Sequence, residues 1–303
     1  MTRERRIKSE FRDACKGLAA SFSASGISAL DMKHVEGALD AYDWAGFETR
    51  LTAFFEQELH SQLVSEAVAE SIRLRRMGKA LRGDPKGRLT INGATASWRL
   101  DRTDPRMVEW AQTRSSKLVT QISKTTRGAI RKLIGEAYTE GRSVYDTARL
   151  LRTIVGPLDS QVGRIARAYG ETVDLLRESG LTFAQAQEKA AKQAERVTDR
   201  AVASRAETIA RTEIITAGNQ GRIEAWSQAI DAGLLPSNAH KEWVAFDPCP
   251  ECEGLDGEVV PYDEPFSSGD DGPAAHPNCR CAVVYVDDPN DSTLNIPGID
   301  GGA

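Results

Sequence analysis

Four of the five cysteines in this 303-residue chain lie between positions 249 and 281, and Cys15 stands alone. Cys249-Pro250-Glu251-Cys252 is a pair separated by two residues, and a turn of that length can aim two thiolates at one ion. After a 23-residue loop, His276-Pro277-Asn278-Cys279-Arg280-Cys281 supplies further donors. On an extended segment side chains alternate, so Cys279 and Cys281 point to the same side. Five donors then compete for four tetrahedral positions. The favoured set is Cys249, Cys252, His276 and Cys279, with Cys281 as the substitute for either of the last two. Four thiolate or imidazole ligands leave no open coordination position, so the cofactor expected is a structural Zn2+ rather than a catalytic one.

A disulfide framework needs an oxidising compartment. The start, Met1 to Arg6, is basic, but a polar amphipathic pattern follows where a signal peptide has its apolar core. Synthesis and use on the cytosolic side are therefore expected, at least initially, and clustered cysteines there point to metal. No apolar run approaches the ~20 residues that cross a bilayer.

Other constellations are decoys or absent. His240-Lys241-Glu242 followed by Pro248-Cys249-Pro250-Glu251-Cys252 matches the zinc-deaminase pattern in letters. That chemistry needs its two halves on separate helices, whereas only five residues part Glu242 from Pro248 and Trp243 to Phe246 read as a strand. The sequence has no phosphate-binding glycine loop and no nucleophile elbow. His34 and His60 sit in helical surroundings and read as surface or packing residues. No enzymatic activity is expected. Arg211 and Glu213 are two apart and do not face each other on a helix; each takes another partner, for example Glu213 with Arg280.

The elements that must position these residues are mostly helices. Aromatic residues make up only 6% of the chain, and Ala, Arg, Glu and Leu dominate the first 230 positions, a helix-favouring mixture. Ile7, Phe11, Ala14, Cys15 and Leu18 recur at helical spacing, as do Phe47, Leu51, Phe54, Phe55, Leu59 and Leu63. Arg73, Arg75, Arg76, Lys79 and Arg82 make a basic helix end, either a solvated face or a contact for nucleic acid or an acidic partner, before a turn at Gly83 to Gly87. Thr103-Asp104-Pro105 reads as a cap followed by a first-turn proline; Ser143 caps Val144–Val155, which Gly156-Pro157 ends; Thr182 opens a long helix towards Gly233. Asn219-Gln220-Gly221 is expected to bend or loosen that helix.

After Gly233 the texture turns β-like. Lys241–Phe246 and Cys281–Val286 are strand candidates, with Glu258-Val259-Val260 a weaker one. The fold class expected is mainly α, long helices followed by short antiparallel strands in a small C-terminal metal-stapled module. The expected divisions are an N-terminal helical region at 1–100, a helical body at 101–239, a zinc-stapled β module at 240–286 and a flexible tail at 287–303. Residues 240–303 hold 14 acidic groups against Lys241 and Arg280 alone, a balance of −12, while the preceding 239 residues carry +7. Phosphate repulsion opposes docking of the acidic module on nucleic acid, so any such contact belongs to the helices.

Ile209-Ala210-Arg211-Thr212-Glu213, then Ala217, Asn219, Gly221-Arg222, Lys241–Asp247, Cys249–Cys252, Leu255-Asp256-Gly257 and His276–Cys281 occur in that order. The series resembles the phage Mu protein F family of minor head proteins, over roughly residues 120 to 286. The resemblance implies a structural protein present in few copies per particle, located in the virion head after assembly in the host cytoplasm. It implies the portal protein as partner, further contacts with major capsid or scaffold protein and with genomic DNA, and a need for the protein in assembling infective heads. Two other readings compete. A zinc-stabilised nuclease needs a general base beside an open metal position, and no second cluster supplies one. A DNA-binding regulator using the module as a finger meets the charge objection above.

Overall fold

The computed structural model describes residues 2–24, 43–82, 89–91, 94–96, 98–139, 156–246 and 249–286. In chain order they form α1 (Arg3–Ala24), α2 (Trp44–Arg82), β1 (Leu89–Ile91), β2 (Ala94–Ala96), α3 (Pro105–Thr139), α4 (Asp159–Glu178), α5 (Phe183–Asp231), β3 (His240–Val244), the single turn α6 (Pro250–Glu253), β4 (Val259–Pro261) and β5 (Ala282–Val286). The expected class is what is found: long helices, then a small antiparallel sheet. The helix assigned to Val144–Val155, the turn at Gly83 to Gly87, His34 and the tail from 287 lie outside the described residues.

Two compact units emerge. One comprises Met1–Glu56 and Gln112–Ala210, the other Gln57–Ala111 and Arg211–Ala303. In the first, the periodic apolar residues of α1 face inward, with Ile7, Phe11, Cys15 and Leu18 all buried. A buried arginine on α5 organises this unit. Arg205 donates to the carbonyl of Gly156 at 2.8 Å and to the hydroxyl of Thr125 at 2.7 Å, and it lies 5.1 Å over the Phe11 ring. Each of these contacts offsets part of the cost of taking a guanidinium out of water. Burial pushes the neighbouring Cys15 thiol up to about 12, so it stays a neutral, packing thiol.

Helix starts follow the sequence signals. The Thr182 hydroxyl accepts from the Gln185 N–H at 3.4 Å, and the Gln185 side chain accepts from the Thr182 N–H at 3.1 Å, a reciprocal box that opens α5. The Asp104 carboxylate accepts from the Arg106 N–H at 2.9 Å ahead of α3, where Pro105 takes the first helical position.

The second unit holds the sheet, ordered β4-β3-β5 with both pairings antiparallel. Trp243 on β3 lies opposite Val283 on β5, and both are fully buried with Trp226, Phe266 and Ile223. Trp243 meets Phe266 edge-on at 5.2 Å, and the Trp226 indole N–H donates to Glu70 at 2.9 Å. Lys241 shares the buried face of β3. Its ammonium donates to the Asp271 carbonyl at 2.8 Å and sits 5.2 Å over the Phe266 ring, while burial draws its pKa below the usual lysine range.

At Asn219-Gln220-Gly221, expected to bend or loosen the helix, α5 runs on without interruption from Phe183 to Asp231. Gly221 is there for closeness rather than flexibility. A Cβ at this position would stand 2.3 Å from the Leu63 carbonyl oxygen and 3.1 Å from the Ala67 nitrogen, both backbone atoms of α2. Gly221→Ala is therefore expected to destabilise the protein by about 2–3 kcal/mol, although alanine is the better helix former. Urea denaturation checks this, and an unchanged midpoint would show that α2 can give way.

Candidate metal centre

The start of α6 and the segment entering β5 bring the five expected donors into two adjoining groups that share Cys252. Cys249 precedes α6 and accepts, through its carbonyl, the N–H groups of Cys252 and Glu253 at 2.9 Å each. With Pro250 fixing the first turn, this cap turns both thiols of the pair the same way. The strand at His240–Val244 also disposes of the deaminase pattern, because neither His240 nor Glu242 lies on a helix.

The second half of the site depends on a left-handed residue. Asn278 has φ 62°, a conformation that asparagine tolerates better than most side chains, and the Cys279 N–H closes the turn onto the His276 carbonyl at 3.2 Å. The turn presents His276 and Cys279 towards the Cys249–Cys252 pair. His276 Nε2 lies 3.1 Å from Cys249 Sγ and 3.0 Å from Cys252 Sγ, and Cys252 Sγ lies 3.9 Å from Cys279 Sγ. The donor atoms of Cys252, Cys279 and Cys281 all fall within 4.8 Å of one another. Cys252 thus belongs to both donor groups, Cys249–Cys252–His276 and Cys252–Cys279–Cys281.

The imidazole is poised as a ligand. Its Nδ1 faces two acceptors, the Pro277 carbonyl at 2.9 Å and Glu251 Oε2 at 3.9 Å, and the tautomer with its proton on Nδ1 satisfies them and leaves Nε2 as the ligand atom. Nε2 therefore turns its lone pair to the sulfurs. Desolvation raises the thiols of Cys252 and Cys279, so ionising several sulfurs in this buried place calls for a compensating positive charge. The 3.9 Å sulfur–sulfur separation matches the edge of about 3.8 Å in a tetrahedron of ~2.3 Å zinc–sulfur bonds. The residues fit a zinc ion.

α5 holds the second half of the cluster from behind. The Asn278 N–H donates to the Thr212 hydroxyl at 3.1 Å. About two turns further on, buried Asn219 donates through Nδ2 to the carbonyls of Pro273 at 3.0 Å and Cys281 at 3.2 Å, and accepts the Val283 N–H at 3.1 Å. Arg222 adds a bond to the Val283 carbonyl at 3.3 Å. These clamping roles were not assigned from the sequence; the signal available was three polar residues on one face of an otherwise Ala-rich helix. On the Leu255-Asp256-Gly257 turn, Gly257 takes φ 76° and donates to the Trp243 carbonyl at 2.8 Å, while Asp256 accepts the Ala245 N–H.

Glu213 is buried on α5, Arg211 is half-buried and Arg280 is exposed. In the basic run, Arg73 is exposed 3.7 Å from Glu70, Arg75 donates to the Ser71 carbonyl at 3.2 Å, and Arg76 is exposed. The side chains of Lys79 and Arg82 lie outside the described residues.

A family model described as phage Mu protein F like protein matches residues 128–284, from within α3 into β5. The chain belongs to this family. The matched span contains the whole of α5, β3 and β4, the first part of β5 and all five donors, so the clamp and the cluster are parts of the family domain. Membership supports a role in phage head morphogenesis and a place in the virion. No curated protein and no solved structure matches the chain. Among the described residues no helix is long and apolar enough to cross a membrane.

Proposed function

We propose that this protein is a structural, non-enzymatic minor head protein of a tailed phage or phage-like particle, seated at the portal inside the head and required for assembly of infective particles. A zinc ion on Cys249, Cys252, His276 and either Cys279 or Cys281 staples its β module. The observation that carries the reading is the donor set itself. Thiols and an imidazole crowd around Cys252 and point at one another, an arrangement that stabilises a fold and leaves no place for substrate. The ion would cross-link the start of α6 to the segment entering β5, and the side chains of Asn219 and Thr212 hold that segment in register.

The portal protein is the partner proposed, with capsid or scaffold protein and the genome as further contacts through the helices. The exposed guanidinium groups of Arg73 and Arg76 have the charge for such contacts, with Arg75, Lys79 and Arg82 in the same basic run. Imaging of assembled heads tests the placement: density for this chain at the portal vertex is expected, and its absence from purified procapsids would refute the assignment.

Glu213 and Arg280 are proposed to pair, tying the Arg211–Glu213 turn of α5 to the donor segment. A double-mutant cycle with Glu213→Gln and Arg280→Ala is expected to show a coupling of about 1 kcal/mol or more in unfolding free energy. Additive single effects would remove this pair from the account.

A further inference from the structure

The first unit contains a groove that the metal centre does not explain. α4 and α5 are joined by the short turn at Ser179 to Thr182 and run back along each other. Between them lies a groove of about 460 Å³ lined by Gln161 to Thr172 of α4 and Ala190 to Ala201 of α5. At 1.5 Å per residue, each wall is roughly 16 Å long, about three helical turns. Ile165 and Tyr169 are buried in the floor with Ala190 and Ala194, while Val197 remains 43% exposed on the wall. The small alanines keep the floor shallow enough for another backbone to approach closely.

Arg164 and Arg200 line the same groove, both exposed. They are at similar distances along the chain from the connecting turn, so they mark the end of the groove away from that turn. Neither has a hydrogen bond or ion pair among the described residues. Two exposed guanidinium groups with no carboxylate partner among the described residues, at one end of an apolar trough, have the charge and fork geometry to take carboxylates from outside.

We propose that this groove receives an acidic amphipathic helix of a partner protein. The apolar stripe, about three turns long, lies on Ile165, Tyr169 and Val197, and carboxylates at one end of the helix pair with Arg164 and Arg200. Helix-in-groove recognition divides its contributions in this way, the stripe supplying affinity and the charges fixing direction and partner choice.

The test uses the full chain and two fluorescein-labelled synthetic peptides. Both form four-turn helices with leucines at helical spacing; one carries glutamates at one end and the other lysines. In fluorescence anisotropy the glutamate peptide is expected to bind at least about tenfold more tightly than the lysine peptide, with a preference that shrinks as salt rises. The double variant R164E/R200E is expected to invert the preference, a gain of binding that an unfolded protein cannot give. Val197→Ser, at an exposed position, is expected to weaken the glutamate peptide about threefold while leaving the preference intact. Equal binding of the two peptides, a preference that survives charge reversal, or no binding of either at about 1 mM would each overturn the proposal.

Discussion

Cys252→Ser is expected to release the metal and unfold the β3–β4–β5 module, with a loss of about 3–5 kcal/mol or more in stability. The site is small, and its surroundings explain why the effect is large. Cys252 is the donor common to both groups, with His276 at 3.0 Å and Cys279 at 3.9 Å. Serine oxygen is a poor substitute for thiolate at a zinc ion, and metal affinity in such modules is folding free energy. The thiol is also a member of the hydrophobic core that includes Trp243, Phe266 and Val283, so losing the ion loosens the cluster on which the strands depend. Tryptophan fluorescence reads the outcome, since Trp226 and Trp243 are fully buried and a shift towards the emission of exposed indole marks opening of this core. Cys279→Ser and Cys281→Ser separate the remaining candidates: the variant that keeps a full equivalent of zinc identifies the spare thiol. A Cys252→Ser protein with unchanged emission and midpoint would contradict the staple.

The second large effect is expected at a residue that touches no donor side chain. Asn219→Ala deletes an amide that satisfies two carbonyls and one N–H, all buried, on the far side of the cluster. A buried backbone group left unpaired costs about 1–3 kcal/mol, so a destabilisation of about 3–5 kcal/mol is expected. Asn219→Asp keeps the shape and the acceptor for the Val283 N–H, but places a carboxylate against the carbonyls of Pro273 and Cys281. It is expected to be no better than alanine. Urea denaturation of the zinc-loaded protein measures both. A loss below about 1 kcal/mol for both variants would mean that β5 and the preceding loop hold their register without α5.

The cluster was legible in the sequence because ligand chemistry depends on residue type and spacing, and both survive in one dimension. The long helices were legible for a similar reason: Ile7, Phe11, Cys15 and Leu18 repeat at the helical period and all four are buried. The Thr182–Gln185 box could be read from the letters, since both partners lie within one turn. What the letters hid were roles fixed by contacts distant along the chain. Gly221 looked like a weak point in a helix and is where the α2 backbone approaches too closely for a Cβ. Asn219 looked like part of the same weakness and is instead a three-bond clamp on residues more than 50 positions away. Lys241 alternates with Trp243 towards the core, against the ordinary preference of lysine for water, because the Asp271 carbonyl and the Phe266 ring receive its ammonium. The hairpin of β1 and β2 is only three residues a side, too short for an alternating pattern to rise above chance.

Metal content of the purified full chain tests the account most directly. The folded protein, freed of loosely held ions by gel filtration, is expected to carry one zinc per chain by elemental analysis, and a strong chelator is expected to remove it together with the buried-tryptophan signal. Less than about half an equivalent of zinc in a folded sample, or a tryptophan signal indifferent to its removal, would contradict a metal-stapled β module.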